Sequence, residues 1–460
     1  SKLKFGQIAL TKVIGFLGGL ASKVFLGGNV AGGMVNVMTG FNEITKEAIA
    51  GEVYTLADLT KANALYFKYL PENWLEAGMG VKNNKVSLFM KKFNVQNNLD
   101  TEVRNWSTRE SRLTRLNPFG NNLMLPYKSG DHYMQAMSYL AAANHYKFLD
   151  TNGETISLWD ALEVKNIDDS NPKAGKTLEL KEGVLYIDPK TNQTREWNLD
   201  DEVKFQNLCR ETNNRMHGIY NRMDKTAFHN TWYGQAALAM RGYALGLLYR
   251  RFSSNQYSVS LGRESEGSLV TASKVFINMF GGTKNFIPSL RALICPFGDS
   301  VKNSLLEMGF SVEQYRNMRR NWSDFAFIGM LWILKALTAK SGDNDDDDDD
   351  DTTSGLIYYF ASRLYKEQNA YNTPWGIWDE QKSVLDWMPS GVSVVGQMLD
   401  ISRLMITQEE YKTSSATHEK GDKKWEYKIG SYIPYYRSTR VLEHPYESAK
   451  SYEYGRATYK

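Results

Sequence analysis

WSDFAFIGMLWILKALTAK (322–340), SGDNDDDDDDDTTS (341–354) and GLIYYFASRLYKE (355–367) follow one another without a break. The outer two carry apolar residues at near-helical spacing: Phe325, Ile328, Leu331, Trp332, Leu334 and Leu337 in the first, Leu356, Tyr359, Phe360 and Leu364 in the second. That spacing predicts two amphipathic or buried helices. Between them the seven consecutive aspartates Asp345 to Asp351 repel one another and offer nothing to bury, which predicts a solvated connection across which the helices fold back as a hairpin. A calcium loop alternates its ligands with glycine and closes on a glutamate; this run does neither and reads as a solvated loop.

Working outward, 460 residues suffice for two to four domain-sized units and a sizeable core. Aromatic residues make up 13% of the chain, with 27 Tyr and 11 Trp, a composition that suits wide interfaces as well as cores. The formal charge is +3, and because the aspartate run alone contributes −7, the rest carries about +10. Such a body favours anionic neighbours but lacks the charge density of a dedicated nucleic-acid binder. Cys209 and Cys295 have no CxxC partner and no histidine cluster nearby, so no disulfide framework or zinc site follows, and structural thiols of a reducing compartment are expected. The opening SKLKFGQIAL has the charge layout of neither a signal nor a transit peptide, and a chain that starts at Ser1 reads as a piece of a longer polypeptide.

The expected architecture is mainly α: an irregular multi-helix assembly with a small β-hairpin insertion and an extended C-terminal arm. Residues 1–150 form a glycine-rich helical region. In it, residues 5 to 51 read as a tightly packed helical hairpin, since Lys12 and Lys23 interrupt any span of bilayer length. Thr55 is placed to cap a helix that ends before Pro71, and HYMQAMSYLAAANHYKFL (132–149) has helical spacing. DTEVRNWSTRESRLTRL (100–116) spreads Arg104, Arg109, Arg112 and Arg115 around a helix paired with Glu102 and Glu110. Residues 151–200 are the β insertion, because LELKEGVLYIDPKTNQTREW (178–197) alone has period-two alternation and turn residues. Residues 201–401 return to helix and include the hairpin, and Arg250 and Arg251 close a long helix where they can hold a partner's carboxylates or phosphates. Residues 402–460 are the arm.

Several segments carry a resemblance. MHGIYNRMD (216–224), WYGQAALAMRGYALGLLYRRF (232–252) and EGSLVTASKVF (266–276) resemble a recurring segment of the large virion cargo (polyvalent) proteins of crAss-like bacteriophages. ISLWDAL (156–162) is similar to that family's short pattern of leucine, bulky residue, aspartate and alanine. The helices around Trp322 to Glu367, with RLYKEQN (363–369), resemble its hairpin, and WMPSGVSVVGQMLDI (387–401) its closing segment. The resemblance spans most of Asn29 to Ile401 and contains no catalytic signature. It implies a structural or cargo protein packed in the tail or capsid and ejected into the host with the genome. The implied partners are tail, portal or neighbouring cargo chains, then the DNA backbone or host membrane during ejection. Two alternatives are a membrane-active ejection protein that forms part of a DNA conduit through Phe5 to Gly40, and a non-catalytic segment of a virion-packaged polymerase.

No catalytic, cofactor or metal residue is assigned. Asp160 with Glu163 and Glu264 with Glu266 are acidic pairs without a supporting constellation. His132 and His145, like His217 and His229, lack metal-ligand spacing. The candidate partner-binding residues are Tyr432, Tyr435, Tyr436, Arg437, Arg440, Tyr452, Tyr454 and Arg456, which bring aromatic area and planar donors to a tail with few aliphatic residues. Pro434 and Pro445 are expected to keep it extended until it docks on a partner.

Overall fold

The computed structural model describes residues 30–69, 84–93, 125–167, 176–189, 191–217, 249–339, 351–372, 400–412, 420–426, 436–446 and 448–449. Helix α1 (Val30–Ala50) ends on Gly51, whose φ of +67° only glycine adopts without strain, and the Gly51 N–H donates to the Glu47 carbonyl. Helix α2 (Leu56–Lys68) starts as expected: the Thr55 side chain accepts from the Asp58 N–H while the Asp58 carboxylate accepts from the Thr55 N–H, a reciprocal capping box. After α3 (Lys85–Lys92), α4 (Leu125–His145) lies against both α1 and α2. Ala141, Ala142 and Ala143 of α4 are fully buried, and their small side chains permit that close approach. Ile44, Tyr54, Leu59, Tyr66, Phe89, Met137 and Leu140 form the heart of the main core.

The strands begin earlier than the alternation predicts. β1 (Lys147–Leu149), β2 (Thr155–Ser157), β5 (Leu185–Ile187) and β6 (Thr194–Arg195) form an antiparallel sheet in the order β2-β1-β5-β6. β3 (Leu162–Asn166) and β4 (Lys176–Leu180) pair separately, Leu162 opposite Leu180 and Val164 opposite Leu178. The region is no peripheral insertion, since Phe148, Leu158, Leu162, Leu178 and Tyr186 all belong to the main core. Between β2 and β3 the ISLWDAL stretch makes the short helix α5 (Leu158–Ala161), capped by Ser157 accepting from the Asp160 N–H. Lys85 of α3 donates to the Trp159 and Leu162 carbonyls at 2.7 and 2.6 Å and lies over the Trp159 ring. The Asp160 carboxylate accepts from the hydroxyl of the capping Ser157 at 2.6 Å, and Glu163 pairs with Lys165 at 3.3 Å. Helix α6 (Leu199–His217) returns the chain to the core through Phe205 and Cys209. Burial pushes the Cys209 thiol well above its ordinary pKa, whereas Cys295 is exposed.

A second hairpin was not expected: β7 (Gln256–Ser258) pairs with β8 (Arg263–Ser265). Three-residue strands are too short to show alternation, which is why the period-two reading passed over them. Helices α7 (Ser268–Met279), α8 (Thr283–Ile294) and α9 (Asp299–Glu307) then pack with the first half of α10 (Val312–Thr338) around Val275, Ala292, Val301, Leu305, Tyr315 and Met318.

α10 opens ten residues before Trp322, where Ser311 and Gln314 form a second capping box. It packs along α11 (Asp351–Asn372) as the expected hairpin, with Leu331, Leu364 and Val35 of α1 in one cluster and Lys335 over the rings of Tyr358 and Tyr365. Asp351, last of the aspartate run, is the first described residue of α11; Asp345 to Asp350 lie outside the described residues.

Part of the arm departs from an extended path. Tyr436–Glu443 is helix α12, and Val441 and Ala449 are buried with Tyr359 of α11. Pro445 follows this helix instead of interrupting it, because proline is tolerated after a helix ends, and Pro434 lies outside the described residues. The Tyr446 hydroxyl donates to the Thr338 carbonyl at 2.9 Å, so the arm is tied to both hairpin helices. Gly355 makes this docking possible: a Cβ there would sit 2.5 Å from Cγ of Pro445 and about 3 Å from the Tyr446 ring. Gly355→Leu is expected to displace the segment 436–449 at a cost of about 1–3 kcal/mol of overpacking. Limited proteolysis should show faster cleavage there with the helical content of the body retained.

Candidate functional site

Four stretches of the chain supply one buried charge cluster. On α1, Glu43 and Glu47 are four apart, with Lys46 between them, and so share a helix face. On α10, Glu313, Arg316, Arg320 and Asp324 recur at intervals of three and four and form a matching stripe. Glu52 follows α1, Arg215 ends α6, Arg250 and Arg251 precede β7, and Arg263 lies on β8.

Lys46 bridges Glu43 at 2.7 Å and Asp324 at 2.5 Å. Arg251 reaches the same two carboxylates, at 3.9 and 3.3 Å. Arg250 pairs with Glu43 at 3.4 Å and with Glu47. Arg320 is the hub, donating to Glu47 and Glu313 at 3.0 Å each and to Glu52, while Arg263 joins Glu52 to Glu313. Glu43, Lys46, Glu47 and Arg251 are each at most 4% exposed. Gly267 lets the arginine pair come close, because a Cβ at that position would lie 2.4 Å from the Arg251 carbonyl oxygen.

Burial by itself would raise each of these carboxyl pKa values. For Glu43 that cost is outweighed by Lys46, Arg251 and Arg250 together, and its pKa falls to about 2. Glu47 is held low against burial chiefly by Arg320 and Arg250, and Glu52 by Arg320, Arg215 and Arg263. Arg320 is itself pushed well up, its desolvation overcome by Glu47, Glu52 and Glu313. Carboxylates held this low stay ionised at neutral pH, and the chemistry of the cluster is ion pairing. At its centre a cavity of about 30 Å³, partly open to solvent, is lined by Arg215, Arg250, Gln256, Ser268 and Asn317 among others.

Arg250 and Arg251, read from sequence as holders of a partner's carboxylates, hold Glu43, Glu47 and Asp324 of their own chain. Glu266 lies beside the cluster and pairs with Lys274, whereas Glu264 is exposed, so these two acids do not converge. His132 bonds Tyr66 and His145 bonds Asp58, each at 2.8 Å and in separate places; His229 lies outside the described residues, as do 94–124 with their arginines. Of the partner-binding candidates, Tyr436, Arg437 and Arg440 fall on α12, while Tyr432, Tyr435, Tyr452, Tyr454 and Arg456 lie outside the described residues. Among the described residues no cluster of His, Cys, Asp and Glu has the grouping of a metal site, and no helix is long and apolar enough to cross a membrane.

A second feature is the bare side of α10. Of the apolar positions read as one stripe, only Leu331 is buried; Phe325, Trp332 and Leu337 are 62%, 60% and 76% exposed. The reason is that α1 and α11 take the side of α10 that carries Leu331, Phe327 and Lys335. The remaining side, Phe325, Ala326, Met330, Trp332, Ile333, Ala336 and Leu337, is exposed and without a charge over about 18 Å of helix. On α8, Phe286, Ile287, Leu290 and Ile294 form another exposed apolar stripe. No protein-family model, curated protein or solved structure matches this chain.

Proposed function

We propose that this chain is a structural segment of a phage virion protein, packed in the tail or capsid as cargo and delivered with the genome. The sequence resemblance supplies the class of protein. The observation that carries the reading is the uncharged, exposed side of α10, because large contiguous apolar patches on a folded protein mark sites where another chain docks. The buried charge cluster fits the same reading as a fixed scaffold: it locks α1 to α10 and leaves the outer side of α10 presented rigidly. The docking partner in this reading is a neighbouring virion chain.

The test is the double variant Trp332→Asp, Leu337→Asp in the full-length virion protein. Both side chains are mostly exposed, so denaturation should shift by no more than about 0.5 kcal/mol per site. Incorporation into particles, followed by mass spectrometry of purified virions, should drop severely. Unchanged incorporation of the stably folded variant would sink the proposal.

A further inference from the structure

The hairpin of α7 and α8 buries one side of each helix and leaves the other side apolar. α7 turns Thr271, Val275 and Met279 inward, so Phe276, Ile277 and Phe280 face outward, and all three are more than half exposed. On α8 the buried Ser289 and Ala292 put Phe286, Ile287, Leu290 and Ile294 outward at helical spacing. The two exposed rows meet at the turn. Residues 280–284 are exposed throughout, Phe280 directly precedes Gly281 and Gly282, and Phe286 and Ile287 follow shortly after. The turn is held in place: the Gly281 N–H donates to the Asn278 carbonyl at 3.0 Å, and the Asn285 side-chain amide donates to that of Asn278 at 3.3 Å.

The charge bordering this surface has one sign. Gly267 to Gly298 contains Lys274, Lys284 and Arg291 and no carboxylate. Lys274 is held by Glu266, and α9 sets Lys302 against its own Asp299 and Glu307. Lys284 and Arg291 remain, two helical turns apart on α8 and in line with Ile287, so they run along one edge of the apolar stripe. No side chain caps α8, and the positive end of its dipole lies bare beside Lys284. We infer that this hairpin docks on an anionic lipid surface, with Phe276, Phe280, Phe286 and Ile287 among the acyl chains and Lys284 and Arg291 at the headgroup phosphates. Aromatic and aliphatic side chains edged by cations are the arrangement with which a helix lies in a membrane interface. The hairpin lies there without crossing, since no described helix is long and apolar enough to span. A second copy is the poorer occupant: pairing two hairpins would bring four such cations, and no carboxylate from α7 or α8, into one interface. The apolar side chains also wrap the end of the hairpin on both helices, a shape that a fluid acyl layer accommodates and a flat protein face does not. The inference is independent of the virion reading.

The experiment is flotation of the full chain with vesicles of phosphatidylcholine alone and of phosphatidylcholine mixed with phosphatidylglycerol. Binding is expected to be about fivefold or more tighter on the mixed vesicles at low salt, with the gap closing as salt is raised. Phe280→Ser combined with Ile287→Ser should weaken it about tenfold or more; these side chains are 68% and 71% exposed, so circular dichroism should show the fold intact. If that variant does not fold, Lys284→Gln combined with Arg291→Gln leaves the apolar surface whole and should abolish the preference for anionic vesicles. Trp332→Asp with Leu337→Asp, on the bare side of α10, should bind vesicles as the wild type does, which separates this surface from the one that carries the virion reading. Absence of binding to the mixed vesicles, equal binding to both vesicle types, wild-type behaviour of the hairpin variants, or loss of binding in the α10 variant instead would overturn the inference. So would a dimer in solution that Phe280→Ser with Ile287→Ser dissociates, because the hairpin would then be covered by a second copy.

Discussion

Arg320→Met should destabilise the protein by about 3–5 kcal/mol, a large part of the stability of an ordinary domain. Methionine fills much of the vacated volume, so the loss reports charge more than cavity. Arg320 donates to Glu47, Glu52 and Glu313, all buried, and without it three carboxylates share the remaining cations. Removing one partner of a buried pair costs far more than the pair is worth against an apolar substitute, because the abandoned charge stays out of water. Arg403→Met is the comparison: Arg403 also pairs with two carboxylates, Asp400 and Glu409, but its side chain is 59% exposed. That variant should stay within about 1 kcal/mol of the wild type. Urea denaturation of both variants measures the difference. A cost for Arg320→Met no greater than that for Arg403→Met would mean that the cluster is solvated and holds nothing together.

Acid should unfold the protein through the same residues. Glu43 has a folded pKa of about 2 against an ordinary value of 4.5, and Glu47 and Glu52 are also depressed. A depressed carboxyl contributes stability that is fully present above its unfolded pKa and is lost as pH falls through the folded one. For Glu43 alone the shift corresponds to roughly 3 kcal/mol at neutral pH. Stability should therefore be level above about pH 5 and fall steeply between pH 4.5 and 2, with several carboxylates contributing at once. Far-UV circular dichroism against pH gives the curve. In Glu43→Gln, which cannot ionise, stability at neutral pH should be lower and the acid-dependent part of the curve shallower. An acid slope identical in the wild type and the variant would contradict the assignment of the transition to this cluster.

The hairpin of α10 and α11 and the Thr55 cap of α2 were legible because they rest on signals carried by neighbouring residues: 3.6-residue spacing, a hydroxyl three residues before a carboxylate, and a run of like charge between two apolar segments. The helical spacing read over 132–149 holds only as far as His145, because Lys147–Leu149 pair as β1. Local signals failed where elements were too short to have a period, as in β1, β2, β7 and β8. They also failed to tell which side of α10 is covered. Phe325 and Leu331 have the same apolar character, yet α11 and α1 lie over only one of them, and that choice depends on residues as distant in sequence as Val35.

The charge cluster marks the division most clearly. Sequence alone determined that the chain is mainly helical and placed Arg250 and Arg251 at the end of a helix, because helical periodicity acts over a few residues. Only the tertiary structure decided that these arginines meet carboxylates of their own chain. The partners stand 203 to 273 residues apart, as Arg250 does from Glu47 and Arg320 from Glu47, and nothing in either local stretch encodes the other. The physical reason is that ion pairing has no sequence period. Which opposite charges meet is settled by how the apolar faces of α1, α10 and α11 bury one another, and the charges then occupy the space those contacts leave.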